Sequence, residues 1–241
     1  MTETTDTAVI LVAGVGSRLR PWTDDRPKAL MDLRGETILA RAIRLLRNAG
    51  VQELVLATGY REDQLRSELS RLGITATLIS NPAYDSTQNS VSLALCGDAL
   101  RGRSFFKLDG DVVFQAAVLE RLQRTSAELS VAVDSARALD EEAMKVRVAG
   151  ERILAFGKHI PAAGAAAETL GIERLTRAAG ERVFSAMDAA MTRGIRDRYY
   201  EHFYSELVER GELTAVAVET GDLPWSEVDT LEDLERARRC V

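Results

Sequence analysis

Residues 13–21 read Ala13-Gly14-Val15-Gly16-Ser17-Arg18-Leu19-Arg20-Pro21, and Lys28 follows in Arg26-Pro27-Lys28. Glycines at 14 and 16 let the backbone come close to a ligand, and successive N–H groups turned into one concavity form a nest for an anion. Arg18 and Arg20 add fixed positive charge, and Lys28 supplies a compact ammonium able to reach the same phosphates. This is chemistry for holding a polyphosphate. Two better-known glycine loops do not fit. The dinucleotide fingerprint needs a third glycine where Leu19 stands, and the Walker A loop needs a Gly-Lys-Ser/Thr that is missing here. A plain turn with solvated arginines is the alternative. The crowding of cations into the first loop of an acidic protein argues against it.

A second set of residues carries the opposite charge. Asp109-Gly110-Asp111 follows the apolar stretch Phe105-Phe106-Lys107-Leu108. Magnesium prefers a few carboxylate oxygens and completes its octahedron with water and substrate phosphates. Aspartate and glycine are also common in surface turns. Here, however, the pair sits after a buried strand, at the same sheet edge as the glycine loop, where α/β proteins place ligands. Asp229 is the natural partner. It precedes Thr230, a cap for a helix over 231–239 with Glu232 and Asp233 in its first turn. Helix capping alone would also explain an acid at 229.

These groups need a scaffold, and the hydrophobic pattern supplies one. Residues 8–13 are nearly all apolar, as in a strand buried on both faces. Helical spacing over 37–48 stops before Gly50. Strands are expected at 53–58, 75–79 and 104–108, and helices at 62–72 and 91–99. This alternation predicts a mostly parallel sheet with helices on both faces. Beyond residue 129 the pattern changes to a small antiparallel elaboration. It comprises short strands at 130–134, 145–149 and 152–157, with a turn at Gly150-Glu151. Residues 162–167 read as a mobile loop. Helices at 175–191 and 199–210 follow, then a strand at 213–218 and a last helix from about 230. There is no internal repeat, so the expectation is a single domain over residues 1–241.

The stretch LVAGVGSRLRPWTDDRPKAL resembles the signature of the sugar-phosphate nucleotidyltransferase superfamily. Ala13-Gly14, in place of a double glycine, is more similar to its phosphocholine cytidylyltransferase group. Further landmarks are Thr58-Gly59-Tyr60, Asn81-Pro82, Thr87-Gln88-Asn89-Ser90, Asp109-Gly110-Asp111 and Trp225-Ser226-Glu227-Val228-Asp229. They span nearly the full chain. The resemblance implies an α/β fold, a Rossmann-like α/β/α sandwich, and a transferase that joins CMP from CTP to a small phosphorylated or phosphonylated molecule and releases pyrophosphate. It implies Mg²⁺ held by Asp111 and Asp229, with Asp109 near the nucleotide. It places Val12, Ala13, Gly14, Val15, Gly16, Ser17, Arg18, Lys28 and Gly59 around the nucleotide, and it gives Arg18, Lys28 and Lys145 catalytic roles on phosphate.

Side-chain amides can pair with a nucleobase edge as donor and acceptor, so Gln88, Asn89 and Ser92 are candidates for the base or ribose. Cytosine is not separated from uracil or thymine on this ground. A choline-type acceptor would call for aromatic faces and carboxylates. Tyr84, Asp85, Tyr200, Glu201 and Trp225 are candidates, with Lys145 and Glu168 beside them. His159 and His202 have no visible catalytic partner. A sugar 1-phosphate transferase using UTP, GTP or dTTP is the first alternative; a non-catalytic nucleotide-binding module is the second.

The whole composition is compatible with this. The chain has 241 residues, 46% hydrophobic and 28% charged; 31 basic against 37 acidic residues leave a net charge of −6. Such a protein lacks the positive field of a nucleic-acid binder. Two cysteines, Cys96 and Cys240, match no metal or redox spacing. The first residues are polar and acidic, unlike a secretory signal, and no run approaches the roughly 18 apolar residues of a membrane span. The expected setting is the cytoplasm, with no membrane or nucleic-acid partner.

Overall fold

The computed structural model describes residues 4–241. Its strands are β1 (Thr7–Leu11), β2 (Glu53–Thr58), β3 (Thr77–Ser80), β4 (Phe105–Asp109), β5 (Val112–Val113), β6 (Leu129–Asp134), β7 (Lys145–Ala149), β8 (Arg152–Gly157), β9 (Ala167–Leu175), β10 (Ala215–Glu219) and β11 (Ser226–Glu227). Its helices are α1 (Ile38–Asn48), α2 (Glu62–Leu72), α3 (Asn89–Leu95), α4 (Gly97–Leu100), α5 (Ala116–Gln123), α6 (Arg177–Thr192), α7 (Tyr200–Glu209) and α8 (Leu231–Ala237). The main sheet runs β3-β2-β1-β4-β9-β6-β10-β8-β7. β3, β2, β1 and β4 are mutually parallel, as are β6 and β10. β9 runs antiparallel to both β4 and β6.

Strand alternation sorts the core onto two faces. Ala8, Ile10, Leu54, Leu56, Phe106 and Leu108 join the cluster that includes Leu39, Leu46 and Leu65 of α1 and α2. Val9, Val55 and Phe105 pack with Phe184 of α6 and Tyr200 and Tyr204 of α7. The helices start where side chains satisfy free N–H groups: Thr37 accepts from the Ala40 N–H, and Thr176 from the Ala179 N–H. Residues 105, 107 and 109 share the face toward α7. That parity decides the surroundings of Lys107 and Asp109.

The amino-terminal half follows the sequence reading closely, except that the helix expected at 91–99 divides into α3 and α4. β5, α5 and β11 are not among the elements expected from the sequence, and the carboxyl-terminal half departs from that reading most around residue 170. The expected loop holds as a short turn at Ala162–Gly164 and irregular chain to 166. The helix start expected at 175 is corrected, and the stretch before it, given no element from the sequence, is a strand. β9 occupies residues 167–175, in the middle of the sheet, and α6 begins after Thr176. Glu168, Gly171, Glu173 and Arg174 hide this strand from a hydrophobicity reading. It is nevertheless almost wholly buried, because its polar side chains find partners inside: Glu173 meets Lys107, and the Arg174 Nε donates to the Thr5 Oγ1. The antiparallel part of the sheet is therefore larger than a small elaboration, and the sheet is mixed.

Candidate active site

The glycine loop leaves the end of β1 under firm restraint. The Val12 N–H donates to the Ala57 carbonyl, and the Tyr60 N–H, just past Gly59, donates to the Ala13 carbonyl. Gly16 has φ +66°, a left-handed conformation, and a Cβ there would lie 3.1 Å from the Lys28 Cβ. A larger residue would therefore be strained and would press on the lysine. The Thr23 hydroxyl donates to the Gly16 carbonyl at 2.9 Å. Leu19 anchors the loop in a small core with Met31, Val228 and Leu234, which ties it to the segment carrying Asp229.

Asp111 and Asp229 are brought together by a two-stranded ribbon. β5 pairs antiparallel with β11, and the Val228 N–H donates to the Asp111 carbonyl at 3.0 Å. The Lys28 ammonium lies between the two carboxylates, 2.5 Å from Asp111 Oδ2 and 2.8 Å from Asp229 Oδ1. Arg18 reaches the other Asp229 oxygen at 2.9 Å. Burial alone would lower the Lys28 pKa, but Asp111 and Asp229 outweigh it and hold it raised. Burial would likewise raise the Asp229 carboxyl, yet Lys28 and Arg18 pull it below its ordinary value.

Sequence reasoning overlooked a third carboxylate, Glu227. It stands two residues before Asp229, as Asp109 does before Asp111, and that spacing was the available signal. Oxygens of Asp111, Glu227 and Asp229 lie within 4.8 Å of one another. Loss of hydration at its carboxyl and repulsion from Asp111 and Asp229 push Glu227 up to about 8, although the residue as a whole is exposed. Three converging hard oxygens, with ammonium already drawn between two of them, fit a divalent cation.

Two hollows flank this centre. One is lined by Gly14, Tyr84, Gln88, Asn89, Ser92 and Asp109 and continues to Asp111 and Glu227. The other is lined by Arg18, Arg137, Asp140, Lys158 and Glu168 and continues to Glu227 and Asp229. The expected nucleotide residues Gln88, Asn89 and Ser92 thus share a wall with Gly14. Ser92 accepts from the Asn81 side-chain amide, and the Asn89 side-chain oxygen accepts from the Tyr200 N–H. Tyr84 lines this first hollow, not the second. Among the described residues, Asp85 lines neither hollow and is exposed.

Four expected acceptor residues are placed differently by the structure. Lys145 is 2% exposed, and its ammonium donates to the Asp140 and Ala143 carbonyls, so it pins the strap that walls the second hollow. Tyr200 and Glu201 lie inside, at 0% and 4% exposure, because α7 turns them toward β4. Trp225 donates from its indole N–H to Asp134 and stacks under Arg137, and so supports the second hollow from behind. Of the acceptor set, only Glu168 reaches that hollow's wall, where Arg137 lies 3.8 Å away. Arg137, Asp140 and Lys158 went unnoticed because they lie in sequence without a distinctive motif.

The sequence pattern of the MobA-like NTP transferase domain family matches residues 8–183. CMP-5'-(3-aminopropyl)phosphonate synthase from Streptomyces rubellomurinus is 34% identical over 95% of this chain and 38% of its own length. The chain spans about half the length of several further relatives. CTP:phosphoglutamine cytidylyltransferase from Campylobacter jejuni is 28% identical over 95% of this chain and 97% of its own. The solved inositol-1-phosphate CTP transferase from T. maritima covers 100% of this chain and 98% of its own, with a TM-score of 0.82 and 24% identity. That last likeness is one of fold. Among the described residues, no helix is long and apolar enough to cross a membrane.

Proposed function

Because the chain belongs to the MobA-like NTP transferase domain family, we propose that it is a Mg²⁺-dependent cytidylyltransferase. It transfers CMP from CTP to a small phosphorylated or phosphonylated molecule and releases pyrophosphate. The observation that carries this reading is the Lys28 ammonium between Asp111 and Asp229, beside Arg18 and the glycine loop, with a hollow on either side. The relatives named as a CMP-phosphonate synthase and a CTP-dependent cytidylyltransferase support cytidine as the nucleoside.

An acceptor phosphate oxygen is already anionic near neutral pH, so attack on the α-phosphorus needs no general base. The protein's task is to hold two polyanions in line and offset their charge. Arg18 and the loop N–H groups would hold the triphosphate. Arg137 and Lys158 are the cations placed to hold the acceptor, with Lys145 fixing the strap between them. Asp111, Glu227 and Asp229 would hold the magnesium, which when bound supplies charge neutralisation at the reacting phosphate. The test is a matrix of nucleoside triphosphates against phosphocholine, aminoethylphosphonate, inositol phosphate and sugar phosphates, read by pyrophosphate release. CTP paired with one phosphoryl or phosphonyl acceptor is the expected result. Turnover only with UTP, GTP or dTTP and a sugar phosphate would replace this reading.

A further inference from the structure

Lys107 is 0% exposed, on the face of β4 that looks toward α7. Its ammonium lies 3.0 Å from Asp109 Oδ1 and 2.9 Å from Glu173 Oε2, and it donates to the Gly171 carbonyl at 3.2 Å. It also donates to the Tyr200 hydroxyl. That hydroxyl in turn donates to Asp109 Oδ2 at 2.9 Å. Both oxygens of Asp109 are therefore held from behind. The backbone has been shaped to allow this. Gly171 sits at φ +69°, beside the register shift between β6 and β9, and a Cβ there would stand 2.3 Å from Asp109 Oδ2.

The front of Asp109 tells the other half. Its side chain is 27% exposed and forms part of the first hollow's wall. It is not a member of the three-carboxylate cluster found among the described residues. A carboxylate oxygen has lone pairs left after one hydrogen bond, and Asp109 lines the hollow, so it can accept from a group bound there. A donor or a cation there would be favoured and a phosphate repelled, and the three-carboxylate cluster beside it is the place for a cation. On a nucleotide the donors are the ribose hydroxyls and, for cytosine, the exocyclic amine. Asp109 adjoins Gly110 and Asp111, at the cation centre, while Tyr84, Gln88 and Asn89 line the rest of the same hollow. The part of a nucleotide next to its α-phosphate is the ribose.

Resting on the nucleotidyltransferase reading above, we propose that Asp109 accepts a hydrogen bond from a ribose hydroxyl and selects ribonucleotides. Lys107 and Tyr200 act as its positioning residues. The two aspartates of one turn then have separate tasks, one toward metal and one toward sugar.

The test compares CTP, 2'-deoxy-CTP, 3'-deoxy-CTP and UTP, by calorimetric binding in the presence of Mg²⁺ and by steady-state kinetics. The full chain is used as wild type, Asp109→Asn and Tyr200→Phe. Wild type should prefer CTP to at least one deoxy analogue by about 10- to 100-fold, the range for losing a hydrogen bond to a charged group. Asp109→Asn should collapse that ratio. Tyr200→Phe, which removes one oxygen and keeps the ring, should raise KM for CTP several-fold and leave the disfavoured deoxy analogue nearly unchanged. It therefore reports the same point if Asp109→Asn does not fold. Equal use of CTP and both deoxy analogues by wild type would overturn the proposal. So would an unaltered ratio in both variants, or a change confined to CTP against UTP. Failure of every nucleoside triphosphate to bind or react would overturn the parent reading and this one with it.

Discussion

On either side of Gly110 a lysine faces two carboxylates, and the two trios have opposite character. Lys28 meets Asp111 and Asp229 at the floor of an open cleft. Lys107 meets Asp109 and Glu173 with its own side chain wholly enclosed. In the first, solvent and ligands can reach the carboxylates, so one positive charge can be exchanged for another. In the second, the front of Asp109 is open but the ammonium and Glu173 are sealed, so the cation cannot be exchanged and removing it leaves buried charge behind. The difference shows that one short turn can supply both a replaceable ion site and a fixed support. Accessibility, rather than residue type, assigns the roles.

The sharpest way to break the comparison is to remove one acid from the open trio. Asp111→Ala should lower turnover by about 10³-fold or more, the scale of losing a charge-stabilising element, with circular dichroism and the melting temperature nearly preserved. Near-normal turnover in saturating Mg²⁺ would remove the proposed role. The enclosed trio should respond in the reverse sense. Lys107→Met should cost about 3–5 kcal/mol of stability in urea unfolding, because it strands buried carboxylates. Lys28→Met should cost much less, and Mg²⁺ should raise its melting temperature by more than it raises that of wild type. If the two lysines cost the same, the contrast between the sites fails.

A pH series sharpens the enclosed side further. Burial, with Lys107 partly opposing it, pushes the Glu201 carboxyl up to about 8, and the neighbouring Glu173 to about 7, from an ordinary 4.5. The folded state therefore keeps protons that the unfolded chain releases above about 4.5. This contribution to stability is complete below that value and is lost as pH rises through about 7 to 8. Unfolding free energy should fall across this window by roughly a few kcal/mol, and Glu201→Gln should flatten the slope. An unchanged slope in that variant would show that Glu201 does not carry it. The smallest effect belongs to the helix cap behind Asp229. Thr230 and Asp233 form a capping box at the start of α8. Thr230→Ala should cost about 1 kcal/mol by thermal unfolding, with a modest loss of activity through Asp229.

The open side was largely legible in the chain. Glycines at 14 and 16, the cations at 18 and 28, and Asp111 at a strand end are local signals with local causes. Asp229 was legible only with the resemblance, since its helix-capping position offered an ordinary explanation. Glu227 was missed despite its i, i−2 spacing from Asp229. The enclosed side was nearly silent. A lysine inside Phe105-Phe106-Lys107-Leu108 was a visible anomaly, but nothing near it named Glu173, Glu201 or Tyr200, which lie far along the chain on a strand the hydrophobic pattern did not reveal and on a helix whose first residues were read as part of the acceptor site.

The sequence by itself determined the βα alternation, the cation-rich glycine loop and the acidic turn, because backbone freedom, hydrophobic period and charge act over a few residues. Only the tertiary structure decided that β9 inserts between β4 and β6, and with it that Tyr200 and Glu201 face inward while Arg137 and Lys158 line the second hollow. Those placements depend on long-range strand pairing and on which polar groups find partners when buried, and neither is encoded in a short window of residues.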